Sequence, residues 1–216
     1  MNEDESGNEI KTILVGMSGT GKTNIINALT GKPFNTTLFS TTTSTFVDKI
    51  MEVNHKKHRV EIWDTAGQER YRSLTKMFIN DSKIVIFVYD ITDKKSFEEV
   101  DFWVKTVKEI LGDNPIFGLA GNKKDLFQNE QVEEEEGQKK AEEIGAIFKL
   151  TSAKTGVGIN DFMQKLLEEY IEKRGPKEEI KNENENAKKI DDNTKSQRLV
   201  SCVDYNKQGK KKKKCC

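Results

Sequence analysis

The sequence predicts an α/β domain with a six-stranded, mostly parallel sheet between layers of helix, and three observations predict it. Short apolar runs rich in β-branched residues recur from Ile10 to Leu150. Amphipathic stretches with apolar residues three and four apart separate most of them. One pair of runs is joined by a segment too short to hold a helix, which makes a single strand antiparallel.

Taken in order, Ile10–Val15 reads as the first strand and residues 23–29 as the helix after it. Residues 46–53 and 59–63 flank Asn54-His55-Lys56-Lys57 as a hairpin. Residues 84–89 form an unbroken apolar run, the pattern of a strand buried on both faces. Phe97, Val100, Val104, Val107 and Leu111 place a helix over 97–111. Residues 116–120 read as a strand, 133–144 as a highly charged helix, 147–150 as the last strand and 159–171 as the last helix. Gly175-Pro176 ends that helix, because proline lacks the N–H and the geometry to continue one.

At 216 residues and 24.6 kDa, the chain suits one domain and an appendage. A domain of about 170 residues buries roughly 70% of its unfolded surface, enough to stand without disulfides or a structural metal. Lys plus Arg and Asp plus Glu each total 36, so net charge argues neither for nor against a polyanionic partner. Its distribution is uneven, with twelve Lys or Arg against seven Asp or Glu over residues 176–216. Apolar residues there are too sparse to offset the entropy of ordering. Residues 175–216 are therefore expected to be a disordered tail, 8–174 the folded domain and 1–7 a disordered lead. The acidic opening MNEDESGNE lacks the positive segment and apolar run of a signal peptide. The apolar run from Ile84 to Tyr89 falls far short of the roughly 20 residues that span a bilayer. The three cysteines, Cys202, Cys215 and Cys216, all lie in the tail, so the folded part has no disulfide and no zinc-ligand spacing, and a cytosolic compartment is expected.

Gly16-Met17-Ser18-Gly19-Thr20-Gly21-Lys22-Thr23 fits G-x-x-x-x-G-K-[ST] directly after a strand and at the opening of a helix, the context this phosphate-binding loop (P-loop) requires. Its glycines let the backbone curl so that N–H groups face phosphate oxygens, and the helix N-terminus adds positive potential. Lys22 then reaches the β- and γ-phosphates, and the Thr23 hydroxyl ligates Mg²⁺. Asp64-Thr65-Ala66-Gly67-Gln68 follows a strand. Behind a P-loop, Asp64 is placed to hold the metal through a water and Gly67 to let the backbone approach the γ-phosphate, with Gln68 orienting the attacking water. Asp64 alone reads equally well as a helix cap.

Asn122-Lys123-Lys124-Asp125 closes the strand 116–120. A carboxylate at Asp125 accepts from the ring N–H and exocyclic amine of guanine, a donor pair that adenine lacks. Thr151-Ser152-Ala153-Lys154 follows the last strand, where the Ala153 N–H is expected to meet the guanine carbonyl. Polar loops produce such tetrapeptides by chance; third in chain order behind the other two motifs, NKKD is specific.

These residues, GMSGTGKT, WDTAGQER, NKKD and SAK in that order, resemble the Ras superfamily of small GTPases, and within it the Rab proteins. The resemblance covers residues 8–174 and is carried in its finer part by IWDTAGQERY (62–71), IFVYDIT (86–92) and the terminal Cys-Cys. It implies a three-layer P-loop GTPase (G) domain with about five helices. The implied nucleotide-binding residues are Ser18, Gly19, Thr20, Gly21, Lys22, Thr23, Phe34, Thr41, Asp64, Gly67, Asn122, Lys123, Asp125, Ser152, Ala153 and Lys154. Thr23, Thr41 and Asp64 surround Mg²⁺ in this resemblance, and Lys22 and Gln68 are catalytic. Thr41 lies nineteen residues after the P-loop lysine and twenty-three before Asp64, both family separations, and Phe34, twelve after the lysine, is the aromatic that flanks guanine.

Three positions depart from the common pattern or refine it. Thr41-Thr42-Thr43 stands where Rab proteins usually carry Thr-Ile-Gly, and Phe78-Ile79-Asn80-Asp81-Ser82 where a tyrosine-rich, glycine-containing segment is common. Ser18 replaces the second P-loop glycine of Ras itself, as in many Rab proteins, and argues for intact hydrolysis. Phe46, Trp63 and Phe78 match an aromatic triad that the family uses for effectors; ordinary packing accounts for them equally.

The resemblance implies a monomeric Mg²⁺-dependent GTP/GDP switch of vesicle traffic, served by an exchange factor, a GTPase-activating protein, a GDP-dissociation inhibitor and effectors. No arginine is obviously supplied in cis, so intrinsic turnover is expected to be slow, and a donated arginine adds roughly 10³–10⁵-fold. Lys210 to Lys214 precede Cys215 and Cys216, for which the resemblance implies geranylgeranylation and a place on the cytoplasmic face of an intracellular membrane. Two lipids anchor stably where one does so marginally, and each nearby lysine adds about 1 kcal/mol at an anionic leaflet. The lysine run has no interleaved aromatics to stack bases, so no nucleic-acid partner is expected. Two other readings stay open. One is a GTP-locked binding module that recruits partners, suggested by the threonine run; the other is an RNA-associated P-loop GTPase that uses the basic tail.

Overall fold

Alternation of side chains across a strand decides where the core of this chain lies. The structure, a computed structural model, describes residues 9–36, 45–65 and 72–174. The strands β1 (Ile10–Val15), β2 (Thr45–Val53), β3 (Lys56–Asp64), β4 (Ile84–Asp90), β5 (Ile116–Asn122) and β6 (Ala146–Leu150) form one sheet in the order β2-β3-β1-β4-β5-β6. Among the described residues only β2 and β3 pair antiparallel. The helical segments among the described residues are α1 (Lys22–Leu29), α2 (Arg72–Ile79), α3 (Lys94–Glu98), α4 (Val100–Leu111), α5 (Glu134–Ile144) and α6 (Ile159–Arg174), with a 3₁₀ turn over Lys124–Asn129. The six-stranded sheet with one antiparallel strand is the predicted fold.

Every residue of β4 is buried, which is why its sequence is continuously apolar. Ile84, Ile86 and Val88 join a cluster with Ile25 and Leu29 of α1 and Phe162 and Leu166 of α6. Val85, Phe87 and Tyr89 point the other way, to Trp103 and Val107 of α4 and Ala141 of α5. Each fully buried large apolar side chain contributes about 1.5–3 kcal/mol, so the central strands hold both helix layers. Gly118 lets α6 approach β5 closely, since a Cβ there would lie 2.8 Å from Phe162 Cζ.

Several boundaries differ from the sequence expectation for identifiable reasons. Asn54 and His55 have φ of 51° and 62°, the paired positive angles of a type I′ turn, so Val53 pairs with Lys56 and the expected four-residue loop contracts to two. The helix expected over 97–111 begins three residues earlier, where the Asp93 carboxylate accepts the Lys95 N–H at 3.1 Å, and it divides into α3 and α4 at Glu99. Glu133 and Glu136 form a capping box that starts α5. β5 runs on to Asn122, which pairs with Asp90. No helix among the described residues is long and apolar enough to cross a membrane. The carboxyl ends of β1, β3, β4, β5 and β6 open on one edge of the sheet, the edge where open α/β sheets form their ligand crevice.

Candidate functional site

The turn from β1 to α1 needs backbone that only glycine supplies. Gly16 has φ of 149°, and a Cβ there would overlap the Val88 carbonyl oxygen; Gly21 has φ of 97°, and a Cβ there would overlap Asn122 Nδ2. The loop curls around Lys22, whose Nζ donates to the carbonyls of Gly16 at 2.8 Å and Met17 at 2.9 Å. Burial lowers the Lys22 pKa from 10.5 to about 8, against the opposing pull of Asp64 and Glu99. An ammonium held in so costly a place, among backbone carbonyls, gains most from an arriving anion.

Thr23 Oγ1 donates to Asp64 Oδ2 at 2.7 Å, which ties the first turn of α1 to the end of β3. A hydroxyl and a carboxylate are hard oxygen donors, the kind Mg²⁺ takes when phosphates and waters complete its octahedron. The donor chemistry fits that ion. No group of three or more His, Cys, Asp and Glu among the described residues offers an all-protein metal cage. Thr65 follows, 1% exposed, and its hydroxyl donates to the Leu14 carbonyl at 2.6 Å, fixing the end of β3 against β1.

Three distant loops meet at Asn122, which is 1% exposed. Its Nδ2 donates to the Thr20 carbonyl at 2.8 Å, while its Oδ1 accepts from Thr151 Oγ1 at 3.3 Å and from the Ala153 N–H at 3.1 Å. The Ala153 amide, expected to await a guanine carbonyl, is thus bonded to Asn122, because a buried N–H requires an acceptor. Lys123 adopts φ of 69° and places Nζ 2.5 Å from Asp90 Oδ2, whose other oxygen accepts from Thr92 N–H and Oγ1 at 2.9 and 2.7 Å. Asp125 accepts from Ser152 Oγ at 2.6 Å and lies 4.0 Å from Lys154 Nζ. Ser152 Oγ in turn accepts the Thr155 N–H at 3.2 Å, so the Asp125 carboxylate is oriented from behind.

These groups enclose an open cavity of about 420 Å³. Of the residues expected from sequence, Ser18, Gly19, Gly21, Lys22, Thr23, Phe34, Asn122, Lys123, Asp125, Ala153 and Lys154 line it. Thr20, Asp64 and Ser152 are buried beside the lining residues they bond or adjoin. Thr41, Gly67, Gln68, Cys215 and Cys216 lie outside the described residues. Asn24, Asn35, Thr36, Thr65 and Leu126 also line the cavity and were not foreseen. Position beside Asp64 was a usable signal for Thr65; the others carry no motif.

On the β2–β3 side, Trp63 stacks on Phe46 with centroids 5.0 Å apart and meets Phe78 at 5.4 Å. Lys11 Nζ sits 4.9 Å from the Trp63 ring. Trp63 and Phe78 pack on the core while Phe46 is 47% exposed, so the trio is both packing and surface.

A model of the Ras family matches residues 11–172, a span that contains every described motif of the cavity. That match extends over well more than half of the chain, and the chain belongs to the Ras family of GTP-binding small GTPase switches.

Proposed function

We propose that this small GTPase is a Rab-type switch that binds GTP and GDP with Mg²⁺ in the cavity, hydrolyses GTP slowly, and regulates vesicle traffic from the cytoplasmic face of an intracellular membrane. The convergence of the Lys22 loop, the Thr23–Asp64 pair and the Asp125 carboxylate on one cavity carries this reading. IWDTAGQERY, IFVYDIT, Ser18 and the terminal Cys-Cys support the Rab assignment. The partly exposed Phe46–Trp63–Phe78 surface supports a role in effector binding.

In this reading the P-loop amides and Lys22 hold the β- and γ-phosphates, and Asp125 accepts from the two N–H groups of guanine. Gln68 orients a water in line with the γ-phosphorus; the new P–O bond forms as the bond to the β–γ bridging oxygen breaks, leaving GDP and phosphate. Thr23, Thr41 and Asp64 would hold Mg²⁺ with the nucleotide, and the ion would supply charge neutralisation on the phosphate oxygens. Loss of the γ-phosphate releases Thr41 and Gly67, a segment-ordering switch.

Single-turnover phosphate release with Mg²⁺ and GTP tests the chemistry. Gln68→Leu is expected to slow it by roughly tenfold or more with nucleotide affinity nearly unchanged. An unchanged rate removes Gln68 from the mechanism, and a native protein that holds GTP without releasing phosphate is a recruiting module instead. The anchor has its own test. Cys215→Ser with Cys216→Ser is expected to move the protein from the detergent phase to the aqueous phase when it is made in its own cell type, and undiminished partitioning contradicts lipidation at those sites.

A further inference from the structure

Just beyond α1 the chain doubles back on the helix it has left. The Lys32 N–H donates to the Asn27 carbonyl at 2.8 Å. Three residues later, and one helical turn nearer the start of α1, Asn35 is held by Asn24: Nδ2 donates to the Asn35 carbonyl at 3.2 Å, and Oδ1 accepts the Asn35 N–H at 3.3 Å. Residues 32–35 therefore retrace α1 antiparallel, pinned at both ends. Pro33, which has no N–H to offer, and Phe34 lie between the pins. Phe34 is 40% exposed and lines the cavity, as do Asn24 and Asn35.

We infer that Asn24 is a positioning residue that holds Phe34 against bound nucleotide and so sets how long the nucleotide stays. This rests on the reading of the cavity as the guanine-nucleotide site. The amide of Asn24 offers a donor and an acceptor side by side, the pair needed to bond both backbone groups of one residue as a neighbouring strand would. Aspartate keeps only the acceptor, and alanine keeps neither. An aromatic ring tethered beforehand loses little freedom when it packs on a ligand, and a ring released from one pin must be ordered anew at each binding. The cost then falls on dissociation more than on encounter.

Release of a fluorescent GDP analogue from the full-length protein, followed by stopped flow, tests the inference. Asn24→Ala is expected to speed release about tenfold with association within about twofold of the parent, and Asn24→Asp to fall between. Phe34→Ala also speeds release, and adding Asn24→Ala to it changes nothing further, because Asn24 acts through Phe34. Hydrogen exchange over residues 33–36 without added nucleotide is expected to quicken in Asn24→Ala. A release rate within twofold of the parent, effects of Asn24→Ala and Phe34→Ala that multiply, or unchanged exchange each overturns the tether while leaving the nucleotide site intact. Native protein that holds no GDP, with the exchange difference still present, overturns the functional reading and the residence-time role together.

Discussion

Asp125→Asn is expected to cut GDP affinity by roughly 10²–10⁴-fold and to turn the preference toward xanthosine diphosphate. The wild-type carboxylate is aimed before any ligand arrives, because Ser152 Oγ donates to it at 2.6 Å and is itself fixed by the Thr155 N–H. Only acceptor atoms then face the ligand. Guanine meets them with two donors, its ring N–H and its amine, and hydrogen bonds to a charged partner contribute about 1.5–3 kcal/mol each. Asparagine keeps the shape but turns one acceptor into an NH₂ that faces another donor. Xanthine carries a carbonyl where guanine has its amine, so the altered site matches it. Competition titrations with both diphosphates check the exchange, and an Asn variant that binds GDP as the parent does removes Asp125 from base reading.

Lys22→Met is expected to lower nucleotide affinity by roughly 10³-fold while leaving the nucleotide-free protein no less stable. The folded pKa of Lys22, about 8, lies below its ordinary value of 10.5. Below pH 8 both the folded and unfolded chains carry the charge, and the folded one bears its burial cost. Stability from this group therefore rises only as pH climbs from about 8 toward 10.5, where the unfolded chain alone still holds the proton. Methionine removes that cost. The carbonyls of buried Gly16 and half-buried Met17 lose a donor, which offsets part of that gain without exceeding it. Affinity and stability should thus separate, as at sites where strain serves a ligand. Urea denaturation beside calorimetric titration measures both; a parallel loss would make Lys22 a scaffold residue.

What the sequence made legible follows from the range of the interactions involved. The P-loop is local: a strand, three glycines with positive φ, a lysine and a helix occupy the twenty residues from Ile10 to Leu29, and the structure sets them as expected. The alternation of strands and helices was readable because each element hides its own apolar face. α2 was not anticipated, although Leu74, Met77 and Phe78 carry the three-and-four spacing of a helix face: eight residues hold that repeat only once. Asn122 shows the limit most clearly. Its motif suggested a ligand contact, yet its amide bonds the Thr20 carbonyl across 102 residues of sequence and takes the Ala153 N–H across 31. Lys123 likewise spends its charge on Asp90, thirty-three residues earlier. Contacts of that separation leave no periodicity, and the Asn24–Asn35 bridge has no motif at all. The switch threonine Thr41, the water-orienting Gln68 and the terminal cysteines remain sequence expectations, outside the described residues.

The preference between GDP and ADP, measured as two dissociation constants on one preparation of full-length protein with Mg²⁺, probes the cavity most directly. The Lys22 loop grips any diphosphate, so selectivity has to come from the oriented carboxylate of Asp125, and GDP is predicted to bind at least about 10³-fold more tightly. Equal binding of the two, or binding of neither, would contradict it.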